Sequence, residues 1–350
     1  MWDTTLALSG GSFQNIVVNG KLREITQLNI YVPMAPHDAG LALGAALIKW
    51  HQKTGRRPQI PLSAYLGPSF DKQEIESLVK SFSLRYEKPL DFISAVASAI
   101  TQEKVVGWFQ GRGEFGARAL GARSVLADPR NVKAKSRLNQ ALKKRDWFMP
   151  YAPSILEEYG NEYFENFSPS PYMNIGFRIK PEKMHLVPSA VHTDGSCRAH
   201  TVNSKQNPKY YQLLMEFYRL TGIPMILNTS FNRHGIPIIA TPRQAIQHLL
   251  EGNIDMLAIE DMIVYREYVS QQKDPIYEDE YYLNLEKLLF AARTLKRGRL
   301  YKAQQIVDDI GLSIEAKSGA FENCGIRIWE TEQSEHILRN WWNDFWRDKR

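Results

Sequence analysis

The sequence predicts a mixed α/β (α+β) fold, on three observations. Apolar runs of strand length, such as KVVGWFQ at 104–110 and PMILN at 224–228, alternate with longer stretches of helical character. Helix punctuation stands where it should: Thr241-Pro242 is a natural opening and Gly222 a natural close. A chain of 350 residues with 43% apolar and 23% charged residues can bury a core in each of two or three domains.

Taken in order, TTLAL (4–8) reads as a short strand cut off by Ser9-Gly10-Gly11. In the following IVVNGKLREI, Asn19-Gly20 is a hairpin-turn signal. LNIYVPMAP (28–36) is strand-like, and Asp38 then precedes GLALGAALIKWHQ, an Ala- and Leu-rich helix. Pro58, Pro61 and Pro68 mark 51–70 as loop. DKQEIESLVKSF and PLDFISAVASAITQE read as helices, and KVVGWFQ as a buried strand. An arginine-rich stretch, GRGEFGARALGARSVLADPR (111–130), leads into the helix VKAKSRLNQALKK. Beyond PYAPSILEE (150–158) and an aromatic, acidic loop (159–172) come strand-like MNIGFRIK and HTDGSCRAHTV (192–202). KYYQLLMEFYRLTG is a helix, PMILNTSFN a strand running into a polar turn, TPRQAIQHLLEG a helix and NIDMLAIEDMIVYRE a final strand. From about 270 the character becomes helical, ending in amphipathic HILRNWWNDFWRDKR.

The net charge of +6 favours anionic partners. The basic residues are interspersed with acids and form no long stripe, which argues against nucleic acid as the main ligand. Two cysteines, Cys197 and Cys324, make neither a disulfide framework nor a zinc site, so a cytoplasmic location is expected. The N-terminus has no basic leader before its apolar stretch. The longest apolar run, AGLALGAALI at 39–48, is too short to span a bilayer, so no membrane role is expected. No GxxxxGK[ST], HExxH or GxSxG appears, nor a GxGxxG in strand context.

Chemistry concentrates in a few places. Arg112, Arg118, Arg123 and Arg130 lie on a glycine- and alanine-rich frame, spaced 6, 5 and 7 apart, so no single helix face gathers them. A winding loop converging on an anion accounts for them, because glycine lets backbone amides approach and guanidinium groups grip oxyanions bidentately. A solvated basic loop with ion pairs to Glu114 and Asp128 is the competing account. Lys143, Lys144 and Arg145 close a helix, where they either complement its dipole or bind an anion. Arg198 and His200 alternate in a strand-like stretch and would share a face; a structural histidine is the bland alternative. Asn228, Ser230 and Asn232 alternate after an apolar strand, where polar residues line a ligand crevice or merely make a turn. Ser9-Gly10-Gly11 either admits a nucleotide to the backbone or makes a tight turn, and Asp38 offers a carboxylate at the start of a helix, where it would be an N-cap.

Four stretches in this order carry a resemblance: VVGWFQGRGEFGARALGARSVLADPRN (105–131), WFMPYAPSILEE (147–158), HTDGSCRAHTV and PMILNTSFNRHGIPIIATPRQAI (224–246). They are supported by LALSGGSFQN, MAPHDAGLALGAAL and YLGPSF. The chain resembles the carbamoyltransferase family that includes nodulation and antibiotic O-carbamoyltransferases, from about residue 5 to 268. The resemblance implies three parts. Residues 1–100 would be the second half of an actin-like (ASKHA) carbamoyl-transfer domain, its front missing. Residues 101–270 would be a YrdC-like domain that makes carbamoyl adenylate from carbamoyl phosphate and ATP. Residues 271–350 would be a helical extension.

By resemblance, Arg112, Arg118, Arg123, Arg198 and Asn228 are the catalytic set. Ser9, Gly10, Gly11, Asn15, Ser124, Lys143, Arg145, His200, Ser230 and Asn232 are expected to bind the cofactor ATP with Mg2+, and Asp38 to ligate a metal. Asp38 alone cannot hold a catalytic metal, so Fe2+ or another divalent ion is expected only if a partner polypeptide supplies the missing ligands. The expected function is O-carbamoyl transfer to a hydroxyl of a sugar or natural product, by this chain or with the partner. The alternatives are a catalytically incomplete partner subunit and an RNA-binding YrdC-like module.

Overall fold

The computed structural model describes residues 5–57, 63–143, 151–233 and 236–266. Residues 1–272 form one compact unit. The helical extension expected over 271–350 lies outside the described residues.

The chain begins with β1 (Thr5–Ala7), a short 3-10 turn, α1 (Ile16–Thr26) and β2 (Asn29–Tyr31), with β1 and β2 paired in parallel. This corrects the hairpin expected at Asn19-Gly20. A parallel pair needs a crossover, which no two-residue turn can supply, and α1 is that crossover. Asn19 is wholly buried, and its Nδ2 donates to the Phe13 and Asn174 carbonyls at 2.8 Å each. Gly20 lies against the Gly176 backbone, where a Cβ would come within 2.8 Å of the carbonyl oxygen. The dipeptide therefore serves close helix packing. Asn15 caps α1 by accepting from the Val17 and Val18 amides.

α2 (Ala39–Thr54) follows, with no buried residue; Leu41, Ile48 and Trp50 are 71%, 62% and 53% exposed. Then come α3 (Lys72–Ser81), α4 (Phe92–Thr101), β3 (Val106–Phe109), β4 (Arg123–Ala127), α5 (Ala134–Leu138), β5 (Ala152–Leu156) and the single turn α6 (Gly160–Tyr163). After these are β6 (Phe177–Arg178), α7 (Pro181–Met184), β7 (Ser196–Cys197), β8 (His200–Val202), α8 (Pro208–Thr221), β9 (Met225–Ser230), α9 (Pro242–Leu250), β10 (Met256–Ile259) and β11 (Met262–Tyr265).

The main sheet has seven strands in the order β11-β10-β3-β4-β9-β5-β8. It is mixed: β10–β3 and β5–β8 are parallel, the other pairs antiparallel. Fully apolar strands such as β10 (MLAI) fit a sheet covered on both faces. Trp108 marks one face, packing against Phe92 of α4 and Tyr210 of α8 at ring-centroid distances of 5.9 and 6.2 Å. On the other face, Gly107 makes room for Ile254 and Phe231, and Phe231 meets His248 of α9 at 5.3 Å. α9 carries the expected cap as a complete capping box between Thr241 and Gln244.

Two further expectations change. The final strand read over 253–267 is a hairpin, β10 and β11 turning at Glu260, which takes a left-handed φ of 51°. No Gly, Asn or Pro marks that turn, so the apolar runs on either side read as one. The 192–202 stretch is split between two sheets, β7 pairing with β6 and β8 with β5. Arg198 lies between these strands, so it and His200 do not share one strand face. No helix among the described residues is long and apolar enough to cross a membrane.

The packing of α1 yields a paired expectation. Gly20→Ala should destabilise the fold by about 1–3 kcal/mol, because the methyl meets backbone that cannot yield cheaply. Gly44→Ala in α2, where nothing lies within 4 Å, should stabilise by up to about 1 kcal/mol through helix propensity. Denaturant unfolding of the two variants checks the opposite signs.

Candidate active site at the carboxyl end of a central strand

The site grows from the register of β9. Strand pairing sets Ser230 opposite Ser124 on β4, and Asn228 opposite Leu126 on β4 and Ala152 on β5. Alternation puts Ser124, Asn228 and Ser230 on the Trp108 face, since Trp108 is itself opposite Ser124. After α5 the helix continues as a π-helical turn over Asn139–Lys143, which carries Lys143 to the end of β9. Wide turns of this kind occur often at functional sites. The Lys143 side chain is 3% exposed. Its Nζ donates to Ser230 O (2.6 Å), Ser230 Oγ (3.0 Å), Asn232 O (2.8 Å) and Asn232 Oδ1 (2.5 Å). Ser230 Oγ donates to Asn232 Oδ1 at 2.6 Å, and Asn232 Nδ2 to the Ile236 carbonyl. Lys143 thus converges on Ser230 and Asn232, 87 and 89 residues away in sequence.

One step deeper, Asn228 Nδ2 donates to Ala119 O (3.1 Å) and Ser154 Oγ (2.9 Å), and Ser154 Oγ lies 2.9 Å from His200 Nδ1. His200 is 3% exposed, and burial pushes its pKa down to about 3, so the imidazole is neutral at physiological pH. Tyr210 stacks on it at 6.1 Å with planes 15° apart. His200 is therefore a buried member of a polar chain.

The arginine stretch winds through glycines at positive φ, Gly111, Gly116 and Gly121, before entering β4 at Arg123. The guanidinium groups of Arg112, Arg118 and Arg123 point at backbone carbonyls. Arg112 donates to Leu66 O and Arg118 to Gln14 O, both at 2.8 Å. Arg123, 1% exposed, donates to Gln110, Gly111, Ala122 and Pro68 carbonyls and lies over the Phe109 ring at 3.6 Å. Burial lowers its pKa to about 10, which leaves it cationic. Arg130 pairs with Asp128 at 2.6 Å, one of the two ion pairs the alternative reading foresaw. Glu114 does something else: its Oε1 accepts from the Leu120, Ala122 and Arg123 amides at 2.8, 2.8 and 3.1 Å. The sequence singled out Glu114 only as an ion-pair acid. Its position among glycines was the available sign, since curled backbone presents amide donors to an anion.

The remaining predicted residues lie elsewhere. Ser124 is fully buried and its Oγ accepts from the Gly121 amide. Ser9 Oγ and the Gly10 amide both donate to Pro36 O, Gly11 opens the 3-10 turn, and Asn15 is spent as the cap of α1. Arg118 links this N-terminal turn to the arginine loop through Gln14. Asp38 stands exposed at the start of α2, with no capping bond from its side chain. The described residues hold no group of three or more His, Cys, Asp or Glu able to bind a metal, so they do not fit a catalytic metal centre around Asp38. Arg145 lies outside the described residues. Sequence reasoning missed Ser154, which meets Asn228 only because β5 and β9 pair there, and Tyr210, which stacks on His200.

Two buried histidines and the half-buried His192 set a pH dependence. His200 and His248 are each pushed down to about 3, and His192 to about 4, chiefly by burial. Their folded-state pKa values lie below the unfolded value of about 6.5, so between about pH 6.5 and 4 the unfolded chain binds more protons. Stability should be complete above pH 6.5 and fall as pH drops, with each fully buried histidine contributing a slope of up to about 1.4 kcal/mol per pH unit. Thermal melts from pH 7.5 to 4.5 check this, and His200→Gln should flatten the decline.

The carbamoyltransferase N-terminus family model matches residues 3–47, and the carbamoyltransferase C-terminus model matches residues 97–266. An uncharacterised Synechocystis sp. protein is 38% identical over 310 residues, 80% of this chain and 50% of that protein. Nodulation protein NolO of Bradyrhizobium diazoefficiens is 38% identical over 279 residues, 77% of this chain and 50% of NolO. Nodulation protein NolNO of Sinorhizobium fredii is 37% identical over 275 residues, 76% of this chain and 40% of NolNO. The chain spans half or less of the length of each of these relatives. With the two family models in order along it, and these relatives matching about three quarters of its length, the chain belongs to the carbamoyltransferase family.

Proposed function

We propose that residues 101–270 form a YrdC-like unit that makes carbamoyl adenylate for O-carbamoyl transfer, and that residues 1–100 belong to an actin-like transfer domain. The observation that carries this reading is the meeting of Lys143 with Ser230 and Asn232 at the end of β9. A lysine held by a serine and an asparagine at a strand's carboxyl end suits phosphate oxygens, which can take over from the neutral oxygens as its partners. Family membership supplies the carbamoyl chemistry.

In this reading carbamoyl phosphate gives carbamate and inorganic phosphate with water. A carbamate oxygen then attacks the α-phosphorus of ATP, and pyrophosphate leaves. Such a reaction asks the protein for positioning and charge neutralisation. Lys143, Ser230 and Asn232 hold the nucleotide phosphates, with Mg2+ arriving on ATP. Arg112 and Arg118 each make one bond to a carbonyl and have further N–H groups for an oxyanion, whereas Arg123 frames the loop. Arg198 is assigned to the same anion, and Arg145, outside the described residues, is assigned to it by the resemblance alone. The acceptor is a small molecule bearing a hydroxyl. Because the described residues do not fit a transfer-site metal, no step is assigned to one here. The exposed apolar side of α2 supports a covering polypeptide that carries the rest of the transfer domain.

ATP–pyrophosphate exchange dependent on carbamoyl phosphate tests the reading. The wild-type chain should catalyse it, and Lys143→Met should reduce it by roughly a hundredfold or more while the fold melts normally. A wild-type chain that binds ATP but gives no exchange, or a Lys143→Met variant at wild-type rate, would overturn it.

A further inference from the structure

The hairpin between β10 and β11 turns in two residues, Glu260 and Asp261, with Ile259 and Met262 paired across its base. Of the two, Glu260 alone has a positive φ, 51°. A positive φ confined to the first loop residue is the pattern of a type II′ turn, where glycine is the usual occupant. Glutamate strains the backbone there, and it lacks the short polar side chain by which Asn or Asp eases that conformation. Glycine would close the same hairpin with less strain. A glutamate in that place therefore needs a reason outside the turn.

Its side chain supplies one. β10 runs parallel to β3 with Ile259 beside Phe109, so the turn emerges next to the start of the arginine loop. The Glu260 amide donates to Phe109 O at 3.1 Å, and Glu260 Oε1 accepts from the Gly111 amide at 2.7 Å. The neighbouring main chain is held by other groups. The Gln110 amide donates to Ala122 O, and the Gln110 and Gly111 carbonyls accept from the Arg123 guanidinium. Gly113 donates to Pro68 O and accepts from the Gly67 amide. At Gly111, with φ +52°, the amide is held by the Glu260 carboxylate. Lys209 makes this role separable from that of the hairpin. Its Nζ donates to the Glu260 carbonyl (2.6 Å) and to Gln110 Oε1 (2.5 Å), which fastens the hairpin tip to α8 and β3 whatever side chain residue 260 carries.

Resting on the reading of Arg112 as an oxyanion-binding arginine, we propose that Glu260 is a positioning residue for Arg112. The carboxylate fixes the Gly111 amide, and Gly111 fixes the direction in which the chain leaves for Arg112. The guanidinium, steadied at Leu66 O, then keeps its remaining N–H groups gathered for the anion. Without the carboxylate the exposed Gly111 amide turns to water, and the anion must order Arg112 as it binds. The strain at residue 260 is retained for the neighbouring loop, not for the hairpin.

Three substitutions separate positioning from folding, read on the full chain by carbamoyl phosphate-dependent ATP–pyrophosphate exchange and by thermal melts. Glu260→Gln keeps an acceptor for Gly111, so its KM values should stay within about threefold of wild type. Glu260→Ala removes the acceptor and keeps the strain, whereas Glu260→Gly removes both. Glu260→Gly should therefore melt above Glu260→Ala. Both should nevertheless raise, by about tenfold, the same KM that Arg112→Ala raises, with maximal rates within about twofold of wild type. In an Arg112→Ala background Glu260→Gly should add nothing further. A hairpin role alone predicts the reverse: the better-folded Glu260→Gly would recover wild-type KM values. That recovery overturns the proposal, as does an undiminished effect of Glu260→Gly in the Arg112→Ala background, or an Arg112→Ala variant with both KM values unchanged. Glu260→Gly, which suits the turn, carries the test if Glu260→Ala does not fold. A wild-type chain that gives no exchange overturns the adenylate-forming reading and this proposal with it, whereas exchange with unaltered Glu260 variants overturns this proposal alone.

Discussion

The antiparallel register of β9 between β4 and β5 is the constraint on which the site depends. It sets Ser230 beside Ser124, and Asn228 beside Ala152 and within reach of Ser154. A slip of one residue would turn Asn228 and Ser230 to the α9 face and put Leu227 and Thr229 among the polar groups. The register is enforced by burial on both sides, because Ile226 and Leu227 on opposite faces are both fully enclosed. The polar end of the strand is therefore aimed by its apolar beginning.

Around that strand the loop from 110 to 122 is organised by charge in an indirect way. Arginine-rich glycine loops suggest anion binding, yet here the positive groups hold backbone carbonyls and the one carboxylate at the centre, Glu114, holds backbone amides. Each polar group satisfies main chain that a winding loop leaves without a ladder. Arg123 does this deep in the protein. Four carbonyl oxygens and the Phe109 face offset the loss of water around its charge. Arg112, Arg118 and Arg123 also tie the loop to residues 14, 66 and 68, so it doubles as the seam with the preceding segments. An anion that drew Arg112 or Arg118 away would loosen that seam.

The first fifty residues show the opposite balance. β1 and β2 form a parallel pair of three residues each, and α2 buries none of its side chains. Parallel pairs are ordinarily enclosed on both faces. This region is secured by the contact of α1 with the 174–176 backbone, through Asn19 and the absent Cβ of Gly20, and by Met34 and Ala35, buried in a cluster with Leu120, Ala152 and Met173. The adenylate-forming reading therefore rests on a densely packed sheet, and the transfer reading on a region that includes a helix, α2, with no buried side chain.

The sequence alone determined much of this. Apolar runs of strand length and helix caps at Thr241 and Gly222 are local signals, and local energetics decide them. Candidate residues such as Asn228, Ser230 and Asn232 were legible because alternation at the end of an apolar strand is also local. The tertiary structure alone decided which of them meet. Lys143 reaches Ser230 because a π-helical turn redirects the chain, and Ser154 reaches Asn228 because β5 and β9 pair across a long intervening stretch. It also made Asn19-Gly20 part of a helix, since packing against Gly176 outweighed the turn preference of the dipeptide. The physical reason is the same throughout. Propensity is a matter of about 1 kcal/mol per residue and is settled within a few neighbours, whereas burial and hydrogen-bond satisfaction depend on partners that no short window contains.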